Sequence, residues 1–213
     1  MKADLRVYLV IGADFTGGRA LVNLVLEAVA GGVTCVQLRE KTADPRAFAA
    51  EAAALKTALA PTGVPLLIND NIAVARASGA DGVHLGQSDL PCAEARRILG
   101  PGACIGLSIE TRAQALAAAA LDADYLGVSP VFPSASKTDT AAPWGLDGLR
   151  WLRERVEKPL VAIGGITIGN AGAVARAGAH GIAVISAIGS APSPRAAAAA
   201  LRRAVLGETG SGV

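Results

Sequence analysis

Aromatic residues are scarce in this chain, with three Phe, two Trp and two Tyr among 213 residues. A core built on stacked rings is excluded. Hydrophobic residues make up 52% and alanine supplies much of that share, so closely packed helices are expected instead. Cysteine is rarer still. Cys35, Cys92 and Cys104 are odd in number and lack CxxC spacing, which excludes a disulfide framework and a cysteine-rich zinc centre, and all three read as packing residues. Long unbroken apolar runs are missing too. The uncharged stretches 159–175 and 177–194 are interrupted by glycines, by Asn170 or His180 and by turn residues, so neither reads as a membrane span. The first residues lead into a short apolar run ending at Gly12, without the core and cleavage site of a secretory signal, and a cytoplasmic protein is expected. No excess of one charge is present, since 20 Lys and Arg face 18 Asp and Glu without long clusters. Nucleic acid is therefore not an expected partner.

What the chain does have is alternation. Short apolar runs at 5–11, 35–38, 65–68, 82–85, 104–107, 125–128, 160–163 and 181–185 have strand length, and most are continuous hydrophobics, as strands buried on both faces are. Between them lie segments with helical spacing at 21–30, 46–59, 93–99, 112–121, 146–156 and 195–206. Similar turns follow three helices, Ala30-Gly-Gly-Val, Ser78-Gly-Ala-Asp-Gly-Val and Ala177-Gly-Ala-His-Gly-Ile, which is weak repetition on the scale of one βα unit. Eight units predict an α/β protein, a (β/α)₈ TIM barrel in one domain over 1–206, followed by a flexible C-terminal tail at 207–213. An open doubly wound sheet would carry GxGxxG after its first strand, and Ile11-Gly-Ala-Asp-Phe-Thr-Gly-Gly does not match.

Barrel enzymes work at the C-terminal ends of their strands, so the polar residues that follow each apolar run are the candidates. Gln37, Arg39 and Lys41 alternate and should share a face, where two cations and an amide suit an oxygen-rich anion. The competing reading is a solvated rim with Glu40 paired to a neighbour. Asp70 and Asp89 follow neighbouring strands, and converging carboxylates of this kind suit magnesium bound together with substrate phosphate. Each aspartate would alternatively cap the helix after it. Ile163-Gly-Gly-Ile and Ile185-Ser-Ala-Ile-Gly-Ser follow the last two strands, where barrels often hold a phosphate. Ser108 either bonds a ligand or closes its strand. His84 reads more readily as a satisfied core or rim residue than as a base, and His180 falls at the opposite end of the barrel.

These segments together resemble the thiamine phosphate synthase family nearly from end to end. The resemblance rests on Val36-Gln-Leu-Arg-Glu-Lys, Leu67-Ile-Asn-Asp, Gly79-Ala-Asp-Gly-Val-His-Leu-Gly-Gln-Ser-Asp, Asp124-Tyr-Leu-Gly-Val-Ser-Pro-Val-Phe-Pro, Ala162-Ile-Gly-Gly-Ile and Val184-Ile-Ser-Ala-Ile. It implies a transferase of alkyl groups other than methyl, acting in thiamine biosynthesis. Hydroxymethylpyrimidine diphosphate would be held by Gln37, Arg39, Lys41, Asn69 and Lys137, with Ser108 at the pyrimidine end and Mg²⁺ on Asp70 and Asp89. Arg39, Lys41, Lys137 and Ser108 would assist catalysis. Hydroxyethylthiazole phosphate would be held by Ser134, Ser136, Gly165, Ile185 and Ser186. Diphosphate would leave first and the thiazole nitrogen would capture the resulting carbocation. Partners are then phosphorylated small molecules, neither nucleic acid nor membrane, with a homo-oligomer left open. Serines stand at 134 and 136 where the family usually has threonine, Ser108-Ile-Glu-Thr replaces a segment that usually contains histidine, and Asn71 stands where a basic residue is common. The rival readings are a thiazole tautomerase of the same family and a non-catalytic barrel that binds phosphorylated ligands.

Overall fold

Eight apolar runs pair in chain order, each parallel to the next, and the last returns to the first to close the ring. The computed structural model describes residues 3–41, 44–133 and 142–208. The strands are β1 Val7–Ile11, β2 Cys35–Leu38, β3 Leu66–Asn69, β4 Gly82–Leu85, β5 Cys104–Ile109, β6 Tyr125–Val128, β7 Leu160–Ile163 and β8 Gly181–Val184. Around them lie α1 Leu21–Ala30, α2 Pro45–Leu59, α3 Ile72–Ser78, α4 Cys92–Leu99, α5 Arg112–Ala118, α6 Gly145–Arg153, α7 Ile168–Arg176, a single turn α8 Ser186–Gly189, and α9 Pro194–Leu206. This is the expected (β/α)₈ barrel. No helix among the described residues is long and apolar enough to cross a membrane.

Strand alternation divides the apolar residues into two cores. On β1, Val7, Leu9 and Ile11 face the helices, while Tyr8 and Val10 join Cys35, Leu67, Cys104, Tyr125, Val161 and Ala183 inside the barrel. All three cysteines are buried and free, as packing residues should be. The helices stop and start where their caps dictate. Asp44 accepts from the N–H groups of Arg46 and Ala47 ahead of Pro45, and Thr111 forms a capping box with Gln114. The fifth helix ends three residues short of its expected limit because the chain after Ala118 tightens, with the N–H groups of Ala120 and Leu121 reaching back only three residues. At the end of α9, Gly207 takes up φ 71° and Glu208 N–H bonds Arg203 O at 3.0 Å. The rest of the expected tail, 209–213, lies outside the described residues.

The weak internal repetition has a structural counterpart at the N-terminal end of the barrel. Thr34, Asp81, Asp124 and His180 each stand one residue before an even-numbered strand. Their side chains accept N–H groups from the strand before: Val7 N to Thr34 Oγ1 at 3.0 Å, Leu66 N to Asp81 Oδ2 at 2.9 Å, Ile105 N to Asp124 Oδ2 at 2.8 Å and Leu160 N to His180 Nδ1 at 3.1 Å. In return, the backbone N–H of each of the four donates to the carbonyl of that same partner residue, at 2.7–2.8 Å. Four reciprocal clamps thus fix the barrel's bottom rim, and His180 is one of them, which explains a histidine far from the chemistry. Burial and the nearby Arg153 lower its pKa, keeping Nδ1 free to accept. Asp124 also holds Arg96 Nη2 at 2.7 Å. Asp124→Ala should cost about 1–3 kcal/mol, because a buried N–H loses its acceptor. Urea unfolding measures the loss, and Asp124→Asn should recover part of it.

Candidate active site

The C-terminal ends of the strands open into one cavity of about 720 Å³. Gln37 sits inside β2 and is only 3% exposed, while Arg39 and Lys41 continue the alternation beyond the strand end, and all three line the cavity. The shared face expected from their spacing is therefore real. Glu40, between them, points elsewhere and accepts the Ala13 N–H at 2.5 Å.

Asp70 follows β3 with φ 59°, the only described residue other than glycine with positive φ. A left-handed conformation costs an aspartate little compared with most side chains, yet such positions concentrate at functional sites. Its backbone N–H is held by His84 O at 2.9 Å. Asp89 ends a tight turn in which its Oδ2 accepts the Gly86 N–H at 2.7 Å. Neither aspartate caps a helix: Asn71 caps α3 through the Val74 N–H, and α4 begins at Cys92, after Pro91, without a side-chain cap. Asn71, which stands where a basic residue is usual, thus has a structural task. The two aspartates instead meet each other. Burial, and then the hydrogen bond and like charge of Asp89, push the Asp70 carboxyl up to about 6, against the opposing pull of Asn69 and Arg39. Two carboxyls that crowd one another at a cavity rim form a site that a hard divalent cation would relieve. Two protein oxygens leave coordination positions for water and phosphate, as magnesium prefers, and no group of three or more His, Cys, Asp or Glu among the described residues makes a denser cage.

Across the cavity, Gly164 and Gly165 turn the chain after β7 with φ 94° and 64°. A Cβ on Gly165 would meet Phe132 Cβ and Pro133 O at 2.7 Å each, so the turn packs directly on the loop after β6. Asn170 Nδ2 bonds Gly165 O at 2.8 Å and ties the turn to the start of α7. Ile185 and Ser186, at the start of α8, complete this flank. One residue that sequence reasoning missed supports it. Arg19 donates to Thr16 O, Gly189 O and Ala191 O at 3.1, 3.0 and 2.9 Å, joining the loop after β1 to the end of α8, where carbonyls lack helical partners. Nothing in the local pattern around Gly17-Gly18-Arg19 announces this.

Ser108 on β5 lines the cavity floor, and its Oγ lies 2.8 Å from His84 Nε2. His84 Nδ1 lies 2.8 Å from the Tyr125 hydroxyl, so the histidine is the satisfied core residue that was expected. Tyr125 OH is 3.0 Å from Tyr8 OH, which accepts Gln37 Nε2 at 2.7 Å. Two wholly buried tyrosines therefore join Gln37 to Ser108 beneath the cavity. Sequence reasoning missed both, although glycines inside strands were a usable signal. A Cβ on Gly106 would run into the Tyr125 ring, and one on Gly127 would lie 2.8 Å from His84 Cε1.

Gln37, Arg39, Lys41, Asn69, Asp70, Asp89, Ser108, Gly165, Ile185 and Ser186 thus line one cavity. Ser134, Ser136 and Lys137 lie outside the described residues. The sequence pattern of the thiamine monophosphate synthase family matches residues 7–188. The chain belongs to the thiamine monophosphate synthase family. Its relatives include a thiamine-phosphate synthase of Albidiferax ferrireducens, 56% identical over 201 residues, which are 94% of this chain and 92% of that protein. A thiamine-phosphate synthase of Chloroflexus aurantiacus is 48% identical over 95% of this chain and 93% of its own length. The solved structure of a thiamine phosphate pyrophosphorylase from Pyrococcus furiosus superposes with a TM-score of 0.87 at 37% identity, covering 97% of this chain and 98% of that one. Membership in the thiamine monophosphate synthase family therefore extends over nearly the whole barrel and includes every strand that feeds the cavity.

Proposed function

We propose that the chain couples hydroxymethylpyrimidine diphosphate to hydroxyethylthiazole phosphate, releasing diphosphate and leaving thiamine phosphate. The observation that carries this reading is the division of one cavity into two flanks. One flank gathers Arg39, Lys41 and the paired carboxylates of Asp70 and Asp89, and the other gathers the Gly164-Gly165 turn with Ile185 and Ser186.

On the first flank, Arg39 would bind diphosphate oxygens in a fork and Lys41 would act as a point charge, with Asn69 and Lys137 adding donors. Asp70 and Asp89 would hold Mg²⁺, which when bound supplies positive charge to the departing diphosphate. On the second flank, Gly165, Ile185 and Ser186, with the hydroxyls of Ser134 and Ser136, would hold the monophosphate of the thiazole half. Breaking the bond between the pyrimidine methylene and the diphosphate oxygen sends the electron pair out with the diphosphate, where Arg39, Lys41 and Lys137 stabilise it. The aminopyrimidine delocalises the positive charge left behind. The thiazole nitrogen, held in place by its own phosphate, then donates its lone pair to form the new carbon–nitrogen bond. No protein nucleophile is required. Three free buried thiols suit a reducing compartment such as the cytoplasm.

The test is to mix the purified protein with both phosphorylated halves and magnesium and assay for thiamine phosphate and diphosphate. Equimolar appearance of the two products is expected. Binding of both halves without product would reduce the chain to a non-catalytic barrel.

A further inference from the structure

Five polar side chains from five strands cross the interior of the barrel just under the cavity. Gln37 comes from β2, Tyr8 from β1, Tyr125 from β6, His84 from β4 and Ser108 from β5, and each link measures 2.7–3.0 Å. Tyr8 and Tyr125 are fully buried, whereas Gln37, His84 and Ser108 line the cavity. The tyrosine rings meet edge to face at 6.1 Å, and His84 stacks on Tyr125 at 5.5 Å, so the chain is also held by packing.

With the Gln37 amide as donor to Tyr8, a run of this kind takes a direction, because each hydroxyl owns a single hydrogen. Gln37 spends Nε2–H on Tyr8. Tyr8 passes its hydrogen to Tyr125, and Tyr125 passes its own to His84 Nδ1. The imidazole proton then lies on Nε2 and is donated to Ser108 Oγ, which leaves the Ser108 hydrogen for the cavity. At the opposite end, with Nε2 engaged below, Gln37 offers its carbonyl Oε1. We infer that the Tyr8–Tyr125–His84 relay sets the hydrogen-bonding sense of the pocket floor, with an acceptor at Gln37 and a donor at Ser108, and thereby selects an aminopyrimidine over its oxo counterpart. An aminopyrimidine carries an N–H donor beside an unprotonated ring nitrogen, which matches this floor. The oxo form inverts both groups, placing a carbonyl against Gln37 Oε1 and a ring N–H against the Ser108 hydrogen. Tyr8, Tyr125 and His84 are positioning residues here, acting through Gln37 and Ser108.

The inference rests on the proposed pyrimidine substrate, so its test reads binding and not turnover. Calorimetry would compare hydroxymethylpyrimidine diphosphate, which carries the 4-amino group, with its 4-oxo analogue, each with magnesium and without the thiazole half. The wild type should bind the amino compound at least about 100-fold more tightly, since a floor built to pair with specific donors and acceptors rejects the inverted pattern. Tyr125→Phe releases the His84 tautomer, and Tyr8→Phe frees the Gln37 amide to turn over. Either should bring the preference below about 10-fold while leaving affinity for hydroxyethylthiazole phosphate unchanged. Should one variant be too unstable to purify, the other reads the same relay from its opposite end. Equal binding of the two pyrimidines by the wild type, or a preference for the oxo compound, would overturn the inference. So would an undiminished preference in folded Tyr8→Phe or Tyr125→Phe. Failure of the proposed reaction looks different: tight, selective pyrimidine binding with no thiamine phosphate formed when both halves are supplied.

Discussion

Arg39→Ala is expected to lower kcat by about 10²–10³-fold at saturating magnesium and substrates, the loss seen when one preorganised group facing developing charge is removed. The reasoning starts from position. Arg39 stands one residue past the end of β2, on the cavity face shared with Gln37 and Lys41. Its charge also reaches Asp70, where it opposes the rise in that carboxyl's pKa. Removal therefore strips the leaving group of a cation and lets the Asp70 carboxyl rise further, which works against a bound cation as well. Asp70→Ala should lower turnover by a similar factor for the complementary reason. For Arg39→Ala the melting temperature should stay close to that of the wild type, since rim side chains outside the two cores contribute little to folding, whereas Asp70→Ala should lose about 1 kcal/mol because alanine tolerates φ 59° less well than aspartate. Arg39→Lys should recover only part of the rate, because a point charge cannot replace a fork. A near-normal kcat for Arg39→Ala or Asp70→Ala would remove the diphosphate flank from the mechanism.

Gly106→Ala should be strongly damaging for a single added methyl, costing about 3 kcal/mol or more. The added methyl would occupy the space of the Tyr125 ring atoms Cε1 and Cζ and of its hydroxyl. Tyr125 cannot move aside cheaply, because its hydroxyl bonds both Tyr8 and His84 while its ring packs against both. Shifting it would add broken buried hydrogen bonds to the overpacking. Gly102→Ala is the matched control. A Cβ there meets nothing within 4 Å, and a change within about 0.5 kcal/mol is expected for such a surface site. Urea denaturation of the two variants beside the wild type reads the difference, and equal stability of Gly106→Ala would show that the tyrosine is free to move.

The site was legible in the sequence wherever a strand's end and its flanking polar residues lie within a few positions. Gln37, Arg39 and Lys41 are such a case, because an extended backbone puts alternate residues on one face whatever surrounds it. The glycine pair after β7 is another. Asp70 and Asp89 were only half legible. Spacing placed both beyond strand ends, and although either one alone reads equally as a cap, the pair beside the cations favours the ligand reading; the fold adds that Asn71 holds the cap and that the carboxyls face one another. Tyr8 and Tyr125 were not legible as site residues at all. Each sits in an apolar run and satisfies the pattern of a core strand, and their hydroxyls find one another across 117 positions of chain.

The sequence by itself determined the number of βα units, the direction in which their polar residues point and the family to which the chain belongs, because periodicity, turn residues and ordered motifs are local properties of the chain. Only the tertiary structure decided what meets inside the ring. Closure of β8 on β1 brings five strands' inward side chains under one cavity, and hydrogen bonds between them depend on distances that no sequence separation encodes. The same closure decides that His180 is a clamp and His84 part of a pocket floor: the linear reading puts the two histidines at opposite ends of the barrel, but their partners come from other strands.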